Sequence, residues 1–138
     1  MIRPYREADE SVLFSLARGV FGGARAWDDR RTLAVLETDV VFVAEIGGQP
    51  AGYVALAREP ERICIEQLFV TPEHAGEGVG RQLLEYAEGF AIAEGARTLQ
   101  VVVEQDNQRA QDFYRGRGFA GTGGDVLELI LPQTSGRT

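Results

Sequence analysis

The chain has 138 residues, enough for one domain with one real core. Its 14 Lys and Arg against 21 Asp and Glu give a formal net charge of −7, with no basic patch, so nucleic acid is not an expected partner. No apolar run approaches the length of a membrane span, so a membrane is not expected either. The acidic balance favours a cationic substrate such as an amine by long-range steering, or simply aids solubility. Cys64 is the only cysteine, which rules out an internal disulfide. With only His74 beside it no metal site is expected, and within an apolar strand it reads as a small core residue. The first residues, Met-Ile-Arg-Pro-Tyr-Arg, contain no apolar signal region, so a cytoplasmic location is expected.

In chain order, residues 2–5 read as a short strand. Asp9 or Ser11 can cap a helix over residues 12–21, with Val12, Leu13, Leu16, Ala17 and Val20 on one face and Gly22-Gly23 ending it. Asp28 or Asp29 caps a second helix over about residues 29–38. Trp27 stands at its start, either packing between the helices or lining a pocket. Residues 40–46 and 51–58 are strands joined at Gly47-Gly48-Gln49-Pro50, and residues 63–70 form a third strand. Thr71-Pro72 stops it, because proline lacks an N–H and restrains the residue before it. A helix from about residue 79 carries Leu83, Leu84, Ala87 and Ala91 on one face, with Arg81 and Glu85 placed to pair and Gly95 closing it. Residues 97–103 form a strand parallel to 63–70 by the strand-helix-strand rule. A short helix over residues 108–115, a strand starting at Phe119, a glycine turn over 121–124 and a last strand over 126–131 complete the chain. There is no repeat and no linker, so residues 1–138 read as a single domain.

Gly76, Gly78 and Gly80 lie between the third strand and its helix. Strand, glycine loop and helix start aim several N–H groups and the positive helix end at one point, a cradle for phosphate. No Lys-Ser or Lys-Thr pair follows, so this is not a Walker loop, and the GxGxG spacing differs from the dinucleotide fingerprint. The loop resembles the Q/R-x-x-G-x-G/A pyrophosphate loop of the GNAT superfamily of N-acetyltransferases, mapping onto Ala75, Gly76, Glu77, Gly78, Val79 and Gly80. Downstream, Asn107, Ala110, Phe113-Tyr114 and Gly118-Phe119 are similar to that family's N-x-x-A-x-x-F-Y-x-x-x-G-F signature.

The resemblance implies an α/β mixed sheet of the acyl-CoA N-acyltransferase type, with a central splayed parallel strand pair and helices on both faces. It implies transfer of an acetyl group from acetyl-CoA to a primary amine of a small molecule or protein, with no metal. The N–H groups of Ala75, Gly76, Glu77, Gly78, Val79, Gly80 and Arg81 would seat the pyrophosphate. Ala75 stands where the family usually has Arg or Gln, which predicts weaker coenzyme binding. The edge at Leu68, Phe69 and Val70 would pair with the pantetheine arm. A bulge in that segment would aim an N–H, that of Phe69, at the thioester oxygen. Asn107 would touch the pantetheine or cap the next helix. Tyr114 would protonate the leaving thiolate, a phenol being suited to that transfer. Glu66, a charge in an apolar strand, is the first candidate for the base, on the Leu68 side by two-residue alternation. Glu104 is the second candidate. Some members carry the base at the position of Val102, so that version is absent. An alternative is a non-catalytic acyl-CoA-binding sensor on the same fold, which Ala75 favours. Exposed strands in this fold often pair, so a homodimer is a further expectation.

Overall fold

The computed structural model describes residues 1–18 and 28–133. Its elements are β1 (Ile2–Pro4), a 3₁₀ turn (Glu7–Asp9), α1 (Glu10–Ala17), α2 (Asp29–Thr38), β2 (Val40–Ile46), β3 (Gln49–Glu59) and β4 (Arg62–Val70). A second 3₁₀ turn (Pro72–His74), α3 (Val79–Ala93), β5 (Thr98–Val102), α4 (Gln108–Arg115), β6 (Ala120–Gly123) and β7 (Val126–Ile130) follow. The strands form one mixed sheet in the order β1-β2-β3-β4-β5-β7-β6. Every neighbouring pair is antiparallel except β4 and β5, which are parallel as the crossover rule requires.

Helices cover both faces. On one, Leu83, Leu84 and Ala87 of α3 and Tyr114 of α4 pack with Val54, Leu56, Ile63, Ile65, Leu99 and Val101. On the other, Leu13 and Leu16 of α1 and Val35 and Leu36 of α2 pack with Val41, Val43, Tyr53 and Ala55. Among the described residues no helix is long and apolar enough to cross a membrane.

Local signals place most elements. Gly47 and Gly48 both take positive φ (59° and 78°), the two-residue hairpin turn whose twist matches the strands. Asp28 caps α2, accepting the Arg31 amide at 2.8 Å. Several expectations are corrected. α1 runs from residue 10 to 17, earlier than expected, and Asp9 does not cap it by side chain. Its carboxylate instead takes Arg3 in a fork (2.8 Å to each oxygen) and the Arg6 amide at 2.9 Å. Arg3 also reaches Glu45 at 2.6 Å, so a buried ion cluster joins β1, the first 3₁₀ turn and β2. Glu85 meets Arg117 at 3.4 Å rather than Arg81. Gly121 and Gly123 pair with β7, so the glycine turn is shorter than expected, at Gly124-Asp125. Val20, Phe21, Gly22-Gly23 and Trp27 lie outside the described residues.

The expected splay is present. β4 and β5 pair only from Arg62↔Thr98 to Ile65↔Val101. Beyond Ile65, β4 stays bonded to β3 out to Val70, and among the described residues no strand pairs with its other edge.

Candidate active site

A cleft of about 620 Å³ opens where β4 leaves β5. Glu66, Leu68 and Phe69 line it from β4, Val102 from β5, Glu104 from the segment that follows, and Asn107 and Tyr114 from the start and end of α4. The structure thus gathers Glu66, Leu68, Phe69, Glu104, Asn107 and Tyr114 into one groove. Val70 and the glycine loop do not line it; they continue from the end of β4.

The bulge sits elsewhere than expected. Ala55 pairs with Gln67 but Leu56 with Ile65, so Glu66 is the extra residue, and the Leu68–Val70 stretch pairs regularly. The bulge breaks the two-residue alternation. Ile63 and Ile65 pack in the α3 cluster before it, and Leu68 and Val70 pack there after it. Gln67 turns to the α2 face, where it is 2% exposed, accepts from the Tyr53 hydroxyl at 3.0 Å and donates to Thr32 Oγ1 at 3.5 Å. Glu66 therefore does not share the Leu68 side: the charges it feels are Asp39 and Arg31 of the α2 side and Glu59. Partial burial, and then the like charges of Asp39 and Glu59, hold its carboxyl above the ordinary range, with Arg31 opposing. Desolvation likewise raises Asp39, whose Oδ2 is buried with no hydrogen-bond partner among the described residues.

The glycine loop sorts its own donors. The Ala75 amide is bonded to Pro72 O (3.1 Å) and the Glu77 amide to His74 O (3.3 Å), so these two are not available to a ligand. The amides of Gly76, Gly78, Val79, Gly80 and Arg81 donate to no backbone carbonyl among the described residues. Gly76 and Gly78 take φ of 81° and 87°, conformations costly to any residue with a Cβ. His74 meets Glu77 through Nδ1 at 2.9 Å, an interaction within the loop.

Tyr114 is buried, 7% exposed, with its ring edge-on to Phe113 and Phe119 at 5.0 and 5.3 Å. Burial drives its phenol well above the ordinary value, so it stays protonated at neutral pH. Asn107 caps α4, accepting the Ala110 amide at 3.2 Å, and still lines the cleft. Gln111 ties α4 to the end of the β5 arm by donating to Val103 O at 3.2 Å. Burial also raises the Cys64 thiol, to about 11, which keeps it a neutral thiol. Among the described residues no group of three or more His, Cys, Asp or Glu could hold a metal ion.

The sequence pattern does not single out Gln67, Thr32 or Asp39. One signal was there: Glu66-Gln67 is a polar doublet inside an apolar strand, and consecutive residues of a regular strand face opposite ways.

The model of the acetyltransferase (GNAT) family matches residues 10–119. Streptothricin acetyltransferase of Streptomyces lavendulae is 36% identical over 106 residues, which cover 75% of this chain and 52% of that protein. The chain spans roughly half the length of the curated relatives it matches. Among solved structures, the ribosomal-protein-S18-alanine N-acetyltransferase from Escherichia coli superposes with a TM-score of 0.84 at 18% identity, covering 100% of this chain and 97% of that one. The Salmonella typhimurium protein yncA, solved with its cofactor acetyl-CoA, gives a TM-score of 0.80 at 22% identity, with the same coverage. At such identities the structures show a shared fold, while the family match extends over most of the sequence, including the glycine loop and the Tyr114 segment. The chain belongs to the acetyltransferase (GNAT) family.

Proposed function

We propose that this chain transfers an acetyl group from acetyl-CoA to a cationic primary amine, of a small molecule or a protein, by direct attack in a ternary complex. The observation that carries this reading is the splay: one cleft holds an unpaired strand edge, a buried phenol and a carboxyl above its ordinary range, and β4 runs on into the glycine loop.

The amides of Gly76, Gly78, Val79, Gly80 and Arg81, at the positive end of α3, would hold the pyrophosphate. The free edge at Leu68, Phe69 and Val70 would pair with the pantetheine arm as a strand does. Bound acetyl-CoA supplies an activated acetyl group. Glu66 would take the proton of the attacking amine, and its raised pKa makes it a better base than an ordinary carboxylate. Tyr114 would give its proton to the departing sulfur. Glu59, Glu66, Glu104 and Asp125 line the cleft against Arg31 and Arg62, and Arg62 is bound by Glu59 at 2.6 Å. That balance supports a cationic acceptor. A cytoplasmic homodimer is part of the reading and rests on the sequence alone; sedimentation equilibrium tests the assembly.

The test is calorimetric titration with acetyl-CoA, then a thiol-release assay against polyamines, aminoglycosides, amino acids and peptides. Micromolar binding with turnover on one acceptor class is expected. Tyr114→Phe should lower kcat about a hundredfold at unchanged KM for acetyl-CoA. Binding without release on any amine would favour the acyl-CoA sensor, for which Ala75 is the specific support. No binding would overturn both readings.

A further inference from the structure

We infer that Gln67 is a positioning residue: with Tyr53 and Thr32 it forms a buried polar link that locks the bulge of β4 and so sets Glu66 against the wall made by α2. Gln67 is 2% exposed, and Tyr53 and Thr32 are fully buried. They come from β4, β3 and α2, and their side chains form one chain, Tyr53 Oη to Gln67 Oε1 at 3.0 Å and Gln67 Nε2 to Thr32 Oγ1 at 3.5 Å. A buried amide is tolerated only where its hydrogen bonds are met. Without the extra residue at 66, position 67 would keep the facing of Ile63 and Ile65, and its amide would enter the apolar cluster with Leu83 and Leu99. The polar side chain therefore disfavours the regular register and selects the bulged one. Packing alone would be served as well by an apolar side chain of the same length, so the amide group itself is what the inference concerns.

The consequence reaches the cleft. The bulge falls next to Ile65, the last residue of β4 that pairs with β5, and it is Glu66 that bulges. The link also ties donor strand to acceptor wall, since Thr32 lies in α2 and Gln67 lies in β4.

Gln67→Met keeps length and removes polarity, whereas Gln67→Glu, as the neutral carboxyl that burial favours, keeps an acceptor for the Tyr53 hydroxyl and a donor to Thr32 Oγ1. Two readouts are taken on the full chain: register, from the cross-strand Hα–Hα contact between residues 55 and 67 and the amide exchange of residues 66–68, and kinetics, from kcat and KM for acetyl-CoA. In the Met variant the register contact should weaken, exchange should quicken, and kcat should fall about a hundredfold with KM unchanged. The Glu variant should restore both. A Met variant with wild-type register and wild-type kcat overturns the inference. So does loss of one readout with the other intact, or failure of the Glu variant to restore them. If the Met variant does not fold, Tyr53→Phe removes a single hydroxyl and should move both readouts the same way; no change in either overturns the inference. Only the kinetic arm rests on the proposed acetyl transfer. Wild-type protein that releases no thiol would sink that function while leaving the register result standing.

Discussion

Replacing Ala75 by Arg should tighten acetyl-CoA binding about fivefold. Ala75 is exposed and extended (φ −62°, ψ 137°), so an Arg fits there without backbone strain. Its amide is held by Pro72 O, so at present the residue adds no donor to the seat formed by Gly76, Gly78, Val79, Gly80 and Arg81. A guanidinium would add a charge-assisted hydrogen bond, about 1.5–3 kcal/mol in net terms. The site is open to solvent, which reduces such a contact to about 1 kcal/mol. Since about 1.4 kcal/mol is tenfold in affinity, the gain comes to about fivefold. Calorimetry of both proteins with acetyl-CoA at low ionic strength measures it, and the gain should shrink as salt is added. Acetyl-pantetheine, which lacks the pyrophosphate, is the control and should show no gain. An equal gain for both compounds, or none for acetyl-CoA at low salt, would refute this placing of the pyrophosphate.

Two further changes probe the base and the scaffold. Because burial and the charges of Asp39 and Glu59 raise Glu66, wild-type kcat/KM should climb with pH through a value above the ordinary carboxylate pKa of about 4.3. Glu66→Gln should remove that step from the pH profile and lower the plateau, and a Gln variant with the wild-type profile would exclude Glu66 as base. Asp9→Asn breaks the buried pair with Arg3 and should cost about 3 kcal/mol, or about 10 °C in Tm. The Arg3 hydrogen bonds hold the Asp9 carboxyl below its ordinary value. Its contribution is therefore complete above the unfolded pKa of about 3.9 and is lost as pH falls through the lower folded value. Thermal melts across an acid series should show that loss in the wild type and its absence in the variant.

Elements whose cause is local were legible in the chain. Asp28 capping α2 and Gly47-Gly48 turning the hairpin each depend on a few neighbouring residues. The parallel β4–β5 pair followed from the helix that connects the two strands, and the Tyr114 segment from its resemblance. The cap attributed to Asp9 did not, because the Asp9 carboxylate is claimed by Arg3, and Arg3 in turn by Glu45, 42 residues further on.

By itself, then, the sequence determined the order of elements and the family. The tertiary structure alone decided the register of β4. A bulge is a property of two paired strands and of the faces they bury, so it shows only when Ala55 meets Gln67 while Leu56 meets Ile65. That single extra residue turns Gln67 toward Tyr53 and Thr32 and moves Glu66 off the Leu68 side. It also relocates the expected irregularity from Leu68–Val70 to the mouth of the splay. The physical reason is that alternation along one strand is a local rule, whereas burying an amide requires partners that only the folded sheet and helix bring to it.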